Sequence, residues 1–170
     1  MPDKRSSQRD LVKMEAEEVL EFIHNCHTLY LSTLNRDGTI HSAAMWYGFL
    51  GDQVGFSTRP KTQKAKNLLR NPSLTCLFES GSHAYDKLQG VQINGTARIL
   101  EDPSERFEVM RTAYDRNVAP YSESDREVVE KGATGLLIVA VEPNRIASWD
   151  HSKMAPRGVV GRLASPATDA

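Results

Sequence analysis

The sequence predicts a mainly β fold, an antiparallel barrel with flanking helices, and three observations lead to it. Five or six short segments rich in β-branched and aromatic residues follow one another as hairpins. Helical segments are inserted between them, without the regular alternation that builds a parallel sheet. At 170 residues the chain fits one domain with a sizeable core. We predict that domain over residues 11–154, between a disordered tail at 1–10 and a flexible tail at 155–170.

One helix with an acidic face and four strands are predicted in the first half of the chain. Apolar residues recur at helical spacing over residues 12–23, with glutamates between them. The pair Asp37-Gly38 is a hairpin signal between two segments rich in β-formers. A short basic helix follows the third strand. The strands predicted in this half are 29–34, 39–49, 53–57 and 74–78.

The second half of the chain is predicted to contain two helices between two strands. Residues 90–101 alternate apolar and polar side chains, as a half-buried strand does. Asp102-Pro103-Ser104-Glu105 combines a cap, a proline and a capping-box glutamate, and therefore marks a helix start. Ser124-Asp125-Arg126-Glu127 marks a second helix, which we expect to stop at Gly132. The last segment, 134–149, begins as a nearly continuous apolar strand.

Composition and charge limit what the protein binds. The formal net charge is -1 and the isoelectric point is near 6.5, so the chain lacks the wide basic surface typical of nucleic-acid-binding proteins. No apolar run approaches the length of a membrane span, and the polar N-terminus does not resemble a secretory signal. We therefore predict a cytoplasmic protein with no nucleic-acid partner and no membrane span.

Neither a metal site nor a disulfide is predicted. Cys26 and Cys76 lie far apart and form no CxxC pair, so we expect reduced thiols. His24 and His27 flank Cys26, but a metal would need a further ligand, and no carboxylate is spaced to help. The adjacent pair Asp150-His151 cannot be interpreted as part of a triad, because no nucleophile elbow is present.

Residues 56–72 are the candidate binding site for an anion, because they run from a strand into a basic helix and include no acidic residue. Five basic side chains lie between Arg59 and Arg70. The first N–H groups of a helix are unpaired and the helix dipole is positive there, which suits a phosphate. A solvated helix face without a ligand is the open alternative. The predicted anion-binding residues are Ser57, Thr58, Arg59, Lys61, Thr62 and Lys64.

The second strand combines small and aromatic side chains. In a regular strand, one face carries Ser42, Ala44 and Trp46, and the other carries His41, Ala43, Met45 and Tyr47. Small side chains beside aromatic ones can admit a flat ring, although plain core packing produces the same pattern. A second polar and aromatic cluster, 149–154, either closes a pocket or caps the barrel.

The order of these features resembles the FMN-binding split β-barrel superfamily of pyridoxamine 5'-phosphate oxidase-like proteins. The resemblance covers residues 18–154. The chain is most similar to the branch that uses the deazaflavin coenzyme F420, because of Ala44-Met45-Trp46-Tyr47 and the closing Ser148-Trp149-Asp150-His151. The other matching segments are 31–34, 37–38, 56–58, 64–68, 70–72 and 90–95.

The resemblance implies an antiparallel split β-barrel that forms a homodimer with a cofactor at each subunit interface. Lys64 matches the family's phosphate-binding lysine, and the residues around it match the family's turn. Met45 and Trp46 match the strand that runs along the cofactor ring, and Trp149 belongs to the closing motif. The cofactor-binding residues that we predict are Met45, Trp46, Ser57, Thr58, Arg59, Lys61, Thr62, Lys64 and Trp149.

The activity that the resemblance implies is that of a coenzyme F420-dependent oxidoreductase. It would reduce an electron-poor organic substrate of the enone or quinone type by hydride transfer, with geometry supplying most of the catalysis. The catalytic residues stay unassigned, since the proton donor could be solvent, Tyr47 or His151. Lys61, Lys66 and Arg70 are candidates for the acidic tail of the coenzyme, and solubilising charge explains them equally well.

Two departures from the family pattern argue against pyridoxamine phosphate oxidation. Gly90 stands where flavin-using oxidases carry a glutamine that contacts the ring, and their C-terminal arginine pattern is not evident.

Two alternatives to F420 chemistry remain. One is an FMN-dependent oxidoreductase of the same fold, and the other is a non-catalytic protein that binds F420 or flavin.

Overall fold

The structure of the protein is a computed structural model that describes residues 8–80 and 84–154. The helices are α1 (Gln8–Leu11), α2 (Ala16–Asn25), α3 (Gln63–Arg70), α4 (Pro103–Asn117) and α5 (Arg126–Gly135). The strands are β1 (Leu29–Leu34), β2 (Ile40–Met45), β3 (Gly48–Leu50), β4 (Gln53–Thr58), β5 (Ser73–Glu79), β6 (Gln89–Ile99) and β7 (Leu137–Asp150). Among these helices, none combines the length and hydropathy of a membrane span. The predicted tail 155–170 and residues 1–7 of the predicted tail 1–10 lie outside the described residues.

All seven strands form one antiparallel sheet in the order β2-β1-β5-β6-β7-β4-β3. The two edge strands, β2 and β3, are consecutive in the chain and are joined only by Trp46 and Tyr47. Seven strands laid flat would place these edges about 29 Å apart. The three Cα steps from Met45 to Gly48 span at most about 11 Å. The sheet therefore curls until its edges approach each other, which confirms the predicted antiparallel split β-barrel with flanking helices.

Apolar side chains fill the inside of the barrel. In β1, buried residues alternate with more exposed ones, because successive side chains point to opposite sides of a strand. Leu29, Phe56, Phe78, Val91 and Val139 come from five different strands and are completely buried. Burying one such side chain contributes about 1.5–3 kcal/mol. The interior therefore stabilises the curled form of the sheet.

Helices α4 and α5 cover one half of the outer face of the sheet. A side chain at Gly48 would place its Cβ 2.5 Å from the backbone nitrogen of Ala113, and one at Gly55 would lie 2.7 Å from Val109 Cγ2. Both glycines therefore allow α4 to lie directly on β3 and β4. The contact buries a second apolar cluster outside the barrel, which consists of Leu100, Val109, Ala133, Ile138 and Ala140.

The other half of the outer face, formed by β2, β1, β5, β6 and the end of β7, carries no such pair of helices among the described residues. We call it the uncovered face. Its side chains include Tyr30 and Leu34 of β1 and Ile40 of β2, and Ile40 is 72% exposed. Trp46, at the end of β2, is 65% exposed. Large apolar side chains are thus collected on this one side of the barrel.

Tyr47 anchors the connection between the two edge strands. It is 1% exposed, and its hydroxyl lies 2.5 Å from the carbonyl oxygen of Ile23 and 2.7 Å from that of Cys26. The guanidinium of Arg116 lies 4.6 Å from the centre of the Tyr47 ring and donates to the same Cys26 carbonyl at 2.7 Å. These contacts join the end of α2 and the end of α4 to the connection.

One predicted strand proved wrong, because residues 39–49 form two strands at opposite edges of the sheet. The chain pairs with β1 up to Met45 and with β4 from Gly48 onward. The alternation of the two faces continues through Trp46 and Tyr47, so the local pattern does not reveal the change of partner. This break adds a strand, so the sheet has seven strands where five or six were expected.

The predicted helix over residues 12–23 corresponds to α2, which begins later than predicted, at Ala16. Residues 12–14 instead run extended beside the end of β7. The backbone N–H of Asp150 donates to the Val12 carbonyl at 2.6 Å, and the N–H of Met14 donates to Ser148 Oγ at 3.1 Å. These hydrogen bonds hold residues 12–14 beside β7 and out of the helix, although the apolar residues of 12–23 have helical spacing.

The last helix also differs from the prediction. A capping box of Ser122 and Asp125 begins a 3₁₀ turn, Glu123–Asp125, that leads into α5, and this box starts two residues before the predicted one. The helix continues past Gly132 to Gly135. A Cβ at position 132 would lie 2.6 Å from Met110 Cε, so Gly132 allows α4 and α5 to approach each other and does not end the helix.

We expect Tyr47→Phe to lower the free energy of unfolding by about 1–3 kcal/mol, because it removes a buried donor from two buried carbonyl groups. Urea denaturation followed by circular dichroism measures this change. Tyr30→Phe is the control, since the Tyr30 hydroxyl is exposed and lies 3.5 Å from Glu79 Oε1. Equal losses in the two variants would contradict the role assigned to Tyr47.

Candidate functional site

A gap between β2 and β4, which we call the split, is the centre of the candidate site. β3 pairs with β4 only over Gly48–Leu50. If the pairing of β3 with β4 continued toward the N-terminus of β3, Trp46 would lie opposite Ser57 and Met45 would lie opposite Thr58. In the described sheet, however, β2 pairs with β1 and β4 pairs with β7, so the two strands separate here. The structure therefore brings four of the predicted cofactor-binding residues to the two sides of one gap.

The cationic turn, residues 57–64, leads from the split into α3. Thr62 caps the helix, because its Oγ1 accepts a hydrogen bond from the Ala65 N–H at 3.4 Å. The hydroxyls of Thr58 and Thr62 are 2.9 Å apart, and Thr62 Oγ1 also lies 2.9 Å from the Arg59 carbonyl. The turn is therefore held in shape by its own hydroxyl groups, and the first N–H groups of α3 face its opening.

A buried asparagine fixes α3 against β1. Asn67 is completely buried, and its Nδ2 donates to Thr33 Oγ1 at 3.1 Å and to Asn35 Oδ1 at 2.8 Å. Its Oδ1 accepts from Gln63 Nε2 at 2.9 Å, in the first turn of the helix. A buried polar group with all its partners restricts a helix to one orientation. Asn67 thus positions the cationic turn beside the split.

Four basic side chains of this segment form no ion pair with any described residue. Arg59, Lys61 and Lys66 are exposed and Lys64 is half-buried. None of the six ion pairs found among the described residues includes any of these four. Arg70 differs, because its guanidinium donates to the Leu34 carbonyl at the end of β1. The turn therefore presents uncompensated positive charge and suits an anion.

The strand beside the split has the two faces that the alternation predicts. On one face, Tyr47 is buried, and His41, Ala43 and Met45 are half-buried. On the other face, Ser42, Ala44 and Trp46 are exposed. Met45 packs against the core, and Trp46 offers an exposed indole. Across the split, Ser57 is half-buried and Thr58 is buried. A flat ring could therefore contact both apolar and hydroxyl groups in the split.

Trp149 is not brought to the split within one subunit. It lies on β7 opposite Gly90. β7 pairs with β4, one side of the split, only over Leu137–Ala140, nine residues before Trp149. Its indole covers Gly90 so closely that a Cβ there would lie 2.2 Å from Trp149 Cζ2. The ring borders a cavity of about 240 Å³ that is lined by Arg9, Val12, Gln92, Asn94, Arg145, Ala147, Ser148 and Trp149.

The two candidate proton donors have different surroundings. Burial raises the pKa of Tyr47, and its hydroxyl is shared between two backbone carbonyl groups, so Tyr47 is a poor donor at neutral pH. His151 lies just after β7, with Nδ1 3.0 Å from the Tyr85 carbonyl oxygen and its ring 4.6 Å from the Tyr85 ring. Of the two, His151 has the more accessible ring.

A cavity of about 580 Å³ was not predicted from the sequence. Its lining comes from α2, the segment before it, the start of β1, the ends of β5 and β7 and the start of β6, so no local motif identifies it. The run of glutamates in α2 is the one local signal, and it is equally typical of a solvated helix. No group of three or more His, Cys, Asp or Glu side chains in the described ranges is arranged to hold a metal ion.

The chain is similar to a family model and to solved structures over most of its length. The family model, described as pyridoxamine 5'-phosphate oxidase, matches residues 15–150. A conserved hypothetical protein from Mycobacterium tuberculosis has a TM-score of 0.81 and 32% sequence identity, with 91% of this chain and 99% of that chain covered. Among curated proteins, no match is found.

Two further solved structures share the fold at lower identity. An F420 reductase has a TM-score of 0.58 and 24% identity, with 79% of this chain and 98% of that chain covered. HutZ, a heme storage protein from Vibrio cholerae, has a TM-score of 0.60 and 15% identity, with 78% and 94% covered. At these identities the likeness shows the fold alone, so the ligand has to be inferred from the site.

We expect Gly90→Ala to displace the Trp149 indole, because the new Cβ would lie within 3 Å of three of its ring carbons. The free energy of unfolding should fall by about 1–3 kcal/mol. In a Trp46→Phe background, where Trp149 is the remaining tryptophan, its emission should shift to longer wavelength.

Gly135→Ala is the control for this substitution, since a Cβ at Gly135 meets nothing within 4 Å. If the Gly90 variant kept the emission maximum and stability of the wild type, the close packing of the indole on Gly90 would be refuted.

Proposed function

Because this chain belongs to the pyridoxamine 5'-phosphate oxidase family, we propose that it is a coenzyme F420-dependent oxidoreductase that reduces an electron-poor organic substrate of the enone or quinone type. One observation carries the proposal. The cationic turn opens beside the split, and no carboxylate of the described chain pairs with its cations. An anionic cofactor with a flat ring fits both features. An F420 reductase is also among the proteins that share the fold.

The residues of the site fit the parts of F420. Its phosphate suits Lys64, Arg59 and the first N–H groups of α3, where both charge and dipole favour an anion. Its acidic tail suits Lys61 and Lys66, which are exposed and take part in no ion pair among the described residues. Arg70 is less suited to the tail than expected, since its guanidinium is bonded to β1.

When bound, F420 supplies the hydride, and the protein supplies binding and orientation. The backbone of Met45 and Trp46 would form one wall for the ring, and Thr58 would form the other. The cationic turn would fix the opposite end of the cofactor. Fixing both ends lowers the entropic cost of aligning the ring with a substrate.

We propose that FMN binding is the second candidate, because the same turn suits the FMN phosphate. The preference for F420 comes from charge, since the turn presents more cations than one phosphate requires. Gly90 and Trp149 also disfavour the flavin-using oxidases, because the indole occupies the space above residue 90 and no glutamine can extend from there. A protein that binds F420 or flavin without turnover is the non-catalytic alternative.

We also propose a homodimer in the cytoplasm, with the uncovered face as the interface. This face collects exposed apolar side chains, among them Tyr30, Leu34 and Ile40. Two copies related by a twofold axis through this face would allow the Trp149 of the second copy to reach the split. The arrangement would give Trp149 the cofactor contact that it lacks within one subunit.

We expect Lys64→Ala to weaken F420 binding by about 10- to 100-fold, because a charge-assisted hydrogen bond contributes about 1.5–3 kcal/mol. Fluorescence titration with F420, and separately with FMN, measures both affinities. Lys131→Ala is the matched control, since Lys131 is exposed on α5 and far from the turn in sequence and fold. Unchanged affinity in the Lys64 variant would refute the phosphate assignment, and tighter binding of FMN than of F420 would favour the flavin alternative.

We expect Ile40→Glu to convert the dimer to a monomer, because the substitution would bury a charge in the proposed interface. Light scattering coupled to size-exclusion chromatography measures the mass. Val128→Glu is the control, because Val128 is also exposed but lies on α5. A wild-type monomer, or a dimer that survives the Ile40 substitution, would contradict the proposed interface.

A further inference from the structure

The cavity of about 580 Å³ lies at the start of β1, the strand that pairs with β2 at one side of the split. Its volume is within the range of about 300–1,000 Å³ that is usual for small-molecule sites. In the pairing of β1 with β2, Leu29 lies opposite Met45, and one residue further the same register sets Thr28 opposite Trp46. Thr28 lines the cavity. The pairing itself ends at Leu29 and Met45, so the cavity lies just beyond the end of the β1–β2 pairing where Trp46 follows β2.

One part of the cavity wall is apolar and aromatic. Met14, from the extended segment beside β7, is buried, and Phe22 of α2 packs against the core. Tyr30 extends from β1 on the uncovered face. These three side chains offer a flat organic molecule a surface on which to pack.

The rest of the wall carries negative charge. Four carboxylates line the cavity, and no lysine or arginine is among its described lining residues. They are Glu18, Glu21, Glu79 and Asp150. The nearby cation Lys153 pairs with Glu18 at 2.5 Å. The hydrogen bond from Lys153, followed by that from the Glu15 N–H, lowers the pKa of Glu18, so this carboxylate is ionised at neutral pH.

The chain therefore places opposite charges on the two sides of the paired strands β2 and β1. The cationic turn lies across the split from Met45 and Trp46, and the carboxylates lie on the far side of β1. An anionic cofactor and a positively charged ligand would approach Trp46 from these two sides. The two sites would not compete for the same charge.

We propose that this cavity is the substrate site and that the substrate is a conjugated organic molecule with a protonated amine. The assignment to the substrate rests on the proposed F420 function. The ammonium group is a binding group that is retained in the product, since the carboxylates stabilise its charge. The apolar wall packs against the conjugated part, and aromatic side chains near a cation add to its binding.

Three probes with one ring and different charge test the proposal: 2-phenylethylamine, 2-phenylethanol and phenylacetate. Ligand-observed NMR titration of the wild-type protein should show that the protonated amine binds about tenfold more tightly than the alcohol, and that phenylacetate binds most weakly. Glu21→Gln should weaken amine binding by about three- to tenfold. Glu17→Gln is the matched control, since Glu17 is exposed on the same helix and does not line the cavity. Equal binding of the three probes, or equal effects of the two variants, would overturn the proposal.

A titration of the same three proteins with F420 separates this proposal from the proposed function. Both glutamine variants should bind F420 with wild-type affinity, because neither residue lies at the split. In the F420 complex, 2-phenylethylamine should change the fluorescence of the coenzyme. If F420 binds but the amine leaves its fluorescence unchanged, the cavity is not the substrate site. If F420 does not bind to any of the three proteins, the proposed function is wrong.

Discussion

The connection of two residues between β2 and β3 is the constraint on which the rest of the structure depends. Trp46 and Tyr47 join strands at opposite edges of one sheet, so the sheet has to curl around its apolar face. Tyr47 and Arg116 then bring α2 and α4 over the connection. The same connection opens the split. Between Met45 and Gly48 the chain leaves β1 and joins β4, so β2 and β4 do not pair with each other there. The candidate site is therefore a consequence of barrel closure.

Most of the fold could be predicted because its signals are local. β1 was predicted with its observed limits, and Gly38, in the turn after it, has the positive φ of 86° that favours glycine. Asp102 caps α4 as its sequence indicates. The break at Trp46 could not be predicted, since the alternation of faces continues through it and only pairing with distant strands distinguishes β2 from β3.

The candidate site also has parts that could be predicted from the sequence and parts that could not. The cationic turn is contiguous in sequence, so its charge and its capping threonine could be recognised before the fold was known. The separation of Trp149 from the split depends on where along β7 the pairing with β4 ends, which no local pattern contains. The acidic cavity is harder still to predict, because elements distant in the chain each contribute a few ordinary polar residues to it. Site residues that are contiguous in the sequence can therefore be identified before the fold is known. Site residues that come from distant elements cannot be identified in this way.

The position of β7 between β6 and β4 has a consequence for folding during synthesis. Without β7, the described strands would form two separate sheets, β2-β1-β5-β6 and β4-β3. A ribosome releases the chain from its N-terminus, so both partial sheets can form before residues 137–150 emerge. Until then the apolar interior and the unpaired edges of β6 and β4 are exposed to other chains. The barrel is thus closed by the last of its described strands to be made, and until that strand pairs, the nascent chain exposes surfaces that favour aggregation.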